Sequence, residues 1–146
     1  MTAKEFFKQV RHAESELRTL NIKLRHYEDL GLSFGGISGV PGGHNRATSR
    51  VEMAAVGAVD VLQDLQEQKR AYLAIIARAE SVIGQITQEK YQKILTYRYL
   101  CGWTFANISD ELKYKDPNSI YRAHGWALSE AQKIINAHEK EKTAQS

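Results

Sequence analysis

Residues Tyr91 to Leu128, YQKILTYRYLCGWTFANISDELKYKDPNSIYRAHGWAL, decide the fold, because they read as three helices separated by two short breaks. The first helix spans about Gln88 to Cys101, carries Tyr91, Ile94, Leu95, Arg98 and Tyr99, and is stopped by Gly102. Cys101, the only cysteine, has no partner for an internal disulfide and reads as a small core filler at the end of that helix. Thr104 is placed to cap a short second helix from Phe105 to about Leu112, on which Phe105, Ile108 and Leu112 share an apolar face. Asp116 followed by Pro117 then supplies an N-cap acceptor and a proline at the first helical position, which launches a third helix.

A short helix crossed by a second helix with an exposed first turn is a common way to place side chains in the DNA major groove. Counting about 100° per residue from Ile120, the inner face of the third helix holds Ala123, His124, Ala127, Ala131 and Ile134. Asn118, Arg122, Gly125 and Ser129 point the other way, flanked by Ser119, Tyr121 and Trp126. Asn and Arg are the residue types that pair with adenine and guanine edges, and Lys113 and Lys115 in the preceding turn are placed to hold phosphates. Trp126 is expected to pack on the N-terminal half of the chain.

Working outward toward the N-terminus, Thr2 and Glu5 have the spacing of a capping box. Phe6, Val10, Ala13, Leu17, Leu20, Leu24 and Tyr27 follow in steps of four and three, a heptad seam that predicts a helix from about Ala3 to Leu30. A glycine-rich loop from Gly31 to Ser49 ends it, and Ser49 with Glu52 repeats the capping-box spacing to open a second long helix reaching about Ile86. Its seam runs Val51, Ala55, Ala58, Leu62, Leu65, Lys69, Tyr72, Ile76, Ala79, Ile83 and Ile86, with Lys69 the one polar intruder. A further row, Ala54, Val61, Ile75 and Val82, interrupted by Gln68, widens the apolar face beyond what one neighbouring helix covers. The pattern predicts an all-α chain: a long antiparallel helical hairpin over residues 1–86 that forms a homodimer or higher homo-oligomer, then a helix-turn-helix over 87–146. The tail from His138 to Ser146 is polar and is expected to fray.

The composition narrows the function. A chain of 146 residues with 42% hydrophobic and 25% charged residues is not disordered and buries one modest core or two small ones. The net charge is +3, with nine Lys and Arg against seven acids in residues 87–146 and eleven against ten before them, a balance that permits DNA binding without requiring it. The longest apolar run, Met53 to Val59, is far short of the roughly 20 residues of a bilayer span, and MTAKEFFKQV has no signal-peptide hydrophobic region. The expectation is a cytoplasmic protein with no membrane partner. The five histidines lack metal-ligand spacing and no Ser/His/Asp or Cys/His pairing stands out, so no catalytic residue, cofactor or metal is assigned and no enzyme activity is expected. The glycine-rich loop lacks the Gly-Lys-Ser/Thr ending of a phosphate-binding loop, although His44, Arg46 and Arg50 offer an accessory phosphate contact.

The residues YRYLCGWTFANISDEL and PNSIYRAHGWAL resemble region 4 of bacterial sigma factors, and more closely phage-encoded transcriptional regulators of the RinA/ArpU type with a sigma region-4-like helix-turn-helix. The resemblance implies a recognition helix beginning at Pro117, with Asn118, Ser119, Tyr121 and Arg122 facing double-stranded DNA. Arg98 matches the arginine usual in the first helix, and His124 with Ala127 and Leu128 matches the end of the motif. Trp126 departs from it, because a basic residue is common there. What it implies is a sequence-specific transcriptional regulator of the phage late-gene type, acting in a bacterial host cell. The alternatives are a module that docks on RNA polymerase or a sigma factor, and a DNA-packaging small subunit that would assemble as rings.

Overall fold

A computed structural model describes residues 1–31 and 45–144, and of residues 45–56 the backbone only. The described residues are helical, without strands: α1 (Ala3–Asp29), α2 (Asn45–Gly84), α3 (Glu89–Leu95), a turn of π-helix (Thr96–Leu100), α4 (Phe105–Glu111) and α5 (Ser119–Ala144). No described helix is long and apolar enough to cross a membrane. Packing groups them into two compact units, Met1–Ser15 with Ala74–Ser146, and Glu16–Leu73.

The capping box forms as the spacing predicts. The Glu5 amide donates to Thr2 Oγ1 at 3.1 Å and the Thr2 amide to Glu5 Oε2 at 3.2 Å, so two of the orphan donors at the start of α1 are satisfied. Gly31 ends the helix in a left-handed conformation, φ 81°, that lets its amide reach Glu28 O at 2.9 Å. Residues 32–44, with His44, and the side chains of Arg46, Arg50, Val51, Ala54 and Ala55 lie outside the described residues. α2 begins at Asn45, ahead of the cap expected at Ser49, and ends at Gly84.

In the first unit, Ala3, Phe6, Phe7 and Val10 of α1 share a core with Ala79, Val82 and Ile83 of α2, Tyr91, Ile94 and Leu95 of α3, Ile108 of α4 and the inner face of α5. This core spans residue 86, where the periodicities suggest a boundary. Phe7 is fully buried, edge-on to Phe6 and stacked on Tyr99, each at 5.0 Å between ring centroids. α5 packs chiefly against α3, through Ile120, Ala123, Ala127, Ala131 and Ile135. Ile135 takes the buried place expected for Ile134, which is only partly covered, because successive steps of four residues lag the helical turn by little enough to keep one stripe facing in. Gln132 on the same helix joins the chain's first residues to α5: its Oε1 accepts the Ala3 amide at 2.5 Å and its Nε2 donates to Met1 O at 3.1 Å. The polar tail expected to fray is helical as far as Ala144. In the second unit the seams meet as Leu20 and Leu24 against Leu62 and Leu65, bordered by Tyr27 and Tyr72. Val61, in the extra apolar row, is 45% exposed, whereas Val82 in the same row is fully buried.

The helix expected over Gln88 to Cys101 is broken. After Leu95 the backbone widens by one residue, the Cys101 amide bonding Thr96 O at 3.0 Å, five residues back. Gly102, φ 73°, then turns the Trp103 amide onto Tyr97 O at 2.8 Å and the Trp103 ring stacks on Tyr97 at 4.5 Å. Cys101 lies exposed at this corner rather than in the core, since the widened turn carries it outward.

Because Phe7 holds α1 against both α3 and the π-turn, Phe7→Ala is expected to cost about 3 to 5 kcal/mol and Tyr121→Ala, at an exposed ring, far less. Urea unfolding followed by circular dichroism measures both.

Candidate nucleic-acid interface

The segment from Gly102 to Arg122 is shaped by local hydrogen bonds. Thr104 Oγ1 accepts the Asn107 amide at 3.2 Å and so caps α4, as its position predicts. α4 closes with the Tyr114 amide on Ser109 O at 3.0 Å and the Lys113 amide on Asp110 O at 3.2 Å. That closing motif needs a left-handed residue, and Lys113 occupies it at φ 60° where glycine is usual. Asp116 Oδ1 then accepts the Asn118 amide at 3.0 Å and Asp116 O the Ser119 amide at 3.0 Å. Asp116 therefore acts as the expected acceptor, but Pro117 and Asn118 form a turn and α5 proper starts at Ser119.

The six side chains picked from sequence fall as follows. Lys113 and Lys115 are exposed on the connection between α4 and α5, and Asn118 is exposed on the turn that enters α5. Ser119 is half-buried. Tyr121 is 57% exposed and leans on the Phe105 ring at 5.1 Å. Arg122 is exposed and its Nη2 lies 3.5 Å from Asp116 Oδ2. Such an exposed pair contributes ~0–1 kcal/mol, little enough to be exchanged for another anionic or carbonyl partner. One helical turn on, Gly125 and Ser129 continue the exposed face, and Trp126 stands 56% exposed beside Gln88, Tyr91, Ser129 and Glu130. Trp126 thus sits against the start of α3 instead of packing on the N-terminal half, because α5 turns its opposite, alanine-lined face inward.

Beside this face lies a feature that the sequence reading passed over. Lys4, Lys8, Arg11, His12 and Ser15 of α1 line a groove completed by Arg98, Tyr99, Phe105 and His124, with a cavity of ≈ 530 Å³. Arg98 is fixed in it: its Nη1 donates to Trp103 O at 3.1 Å and its guanidinium lies 4.1 Å from the centre of the Phe105 ring. Arg11 Nη1 donates to Arg98 O at 3.4 Å. His124 Nε2 lies 2.7 Å from Tyr99 Oη, and its ring meets Phe105 edge-on at 4.9 Å. Burial pushes His124 below its ordinary value, and the charges of Arg98 and Lys4 push the same way. Burial and then Arg11 lower Arg98; Tyr99 is raised by burial, against the pull of Arg98 and Arg11. The common sign is a positive local field. The signal was present in the sequence as a second stripe on α1, at steps of four and three, but nothing in the sequence alone joins that stripe to Arg98 and His124. No group of three or more His, Cys, Asp or Glu placed to hold a metal occurs among the described residues.

Lys113→Gly relieves the left-handed strain and is expected to stabilise the fold by about 0.5 to 1 kcal/mol in urea unfolding. For His124, the folded value lies below the ordinary 6.5 of an unfolded chain, so the unfolded state binds the extra proton. Its contribution is complete above 6.5 and is lost as pH falls through that value toward the folded one. Thermal melts at falling pH should show this decline in the parent and a flatter one in His124→Gln; identical slopes would remove His124 as the cause. Comparison with protein-family models, with curated proteins and with solved structures finds no match, so the site is read from its own geometry.

Proposed function

We propose that the chain is a sequence-specific DNA-binding regulator of transcription, in which α4 and α5 form a helix-turn-helix like region 4 of sigma factors and the start of α5 enters the major groove. The observation that carries this reading is the division of α5: Ile120, Ala123, Ala127 and Ala131 are buried, while Asn118, Tyr121, Arg122 and Gly125 stand in solvent on the opposite side. A rigidly backed helix with an exposed first turn and an arginine held only by a weak ion pair is suited to base-edge contacts. Lys113 and Lys115 contact phosphates in this reading, and α1 with α2 form the antiparallel hairpin that pairs two copies and sets half-site separation. The exposed Ile22, Leu30, Val61 and Leu73 supply apolar surface for that pairing. The role is one of binding, without a chemical step, and the regulatory type suggested by the resemblance is that of phage late-gene activators or repressors in a bacterial host.

A module that docks on RNA polymerase is the second reading, and the exposure of Trp126 and Tyr121 favours it, since aromatic side chains are enriched at protein interfaces. Selection from random duplexes at stated salt, followed by anisotropy titration, separates the two. Arg122→Ala should weaken binding to the selected duplex by about 1 to 3 kcal/mol and relax preference at one base pair. Equal affinities in parent and variant would remove Arg122 from the interface, and polymerase capture that survives nuclease, without any duplex binding at low salt, would favour docking.

A further inference from the structure

The groove between α1 and the Arg98–His124 wall is built for an anion. Lys4, Lys8 and Arg11 recur along one side of α1, apart from the Phe6, Phe7 and Val10 stripe that is buried, and face Arg98 across the cavity. None of the described residues lining it is acidic. Four cationic side chains around one concave surface repel each other, a cost that a bound anion offsets. The lining also suits phosphate: lysines supply mobile point charges, while the two arginines supply planar donors, one of them ordered by Trp103 O and the Phe105 ring.

Continuity with the start of α5 indicates which anion. Phe105 forms part of the groove and touches Arg98, His124 and Tyr121, so the groove and the exposed turn of α5 share a wall. We propose that this groove seats a backbone phosphate of bound DNA, a second contact flanking the one made by α5. This rests on the DNA-binding reading above and assigns to the N-terminal helix a part in it. The contact is with the sugar-phosphate backbone, so it carries affinity and orientation but no sequence preference.

The test is a salt titration of the full chain with the selected duplex and with an unrelated one. Lys4 and Lys8 are exposed on α1, so Lys4→Gln/Lys8→Gln removes charge with little effect on packing; should that variant lose helicity, Lys8→Gln alone and Arg11→Gln carry the measurement. The expected result is weaker binding by about tenfold or more, equally on both duplexes, with the slope of log affinity against log salt reduced by about 1 for each cation removed. Unchanged affinity and slope, with Arg122→Ala still weakening binding, would exclude the groove and leave the α5 reading in place. Loss confined to the selected duplex would overturn the phosphate assignment in favour of a base contact. A parent chain that binds neither duplex at low salt would overturn both proposals.

Discussion

The stack of Phe7 on Tyr99 is the contact from which the rest of the first unit follows. Phe7 belongs to α1 and Tyr99 to the π-turn, and the Tyr99 hydroxyl meets His124 of α5, so three elements far apart in sequence converge on two rings. Around this point the Lys4–Ser15 side of α1 is brought opposite Arg98, and Phe105 is wedged between Arg98 and His124. Geometry of this kind depends on close packing rather than on any one hydrogen bond, because interdigitated rings leave few alternative arrangements.

The local chemistry of the chain was largely legible. Reciprocal bonds at Thr2 and Glu5, the Thr104 cap, the stop at Gly102 and the acceptor role of Asp116 each depend on residues within a few positions, and spacing alone is enough to place them. The all-helical character followed from the same periodicities. Where the reading departed from the structure, longer-range packing had intervened. The π-turn at Thr96 has no marker in TYRYL, and its extra residue is what moves Cys101 to the surface and aligns Tyr99 with Phe7. Ile135 rather than Ile134 faces in because the buried stripe of α5 is set by its fit to α3, and Trp126 is exposed for the same reason.

The basic groove shows the other limit of reading by segment. Dividing the charges at residue 86 gives two nearly balanced halves, yet Lys4, Lys8 and Arg11 from one half adjoin Arg98 from the other. Net charge is conserved by any such division, while local potential depends on which groups the fold juxtaposes. The six residues singled out on and before α5 are all surface-accessible to some degree, but they account for only part of the positive surface.

Both tryptophans of the chain, Trp103 and Trp126, belong to the unit of Met1–Ser15 with Ala74–Ser146. Trp103 is stacked on Tyr97 and Trp126 is open to solvent, so their emission differs in colour and in access to quenchers. Residues 16–73 contain no indole, and intrinsic fluorescence is blind to them. A fluorescence transition that coincides with the loss of ellipticity therefore means that the two units melt as one cooperative body, and a gap between the two curves gives the free energy by which they part.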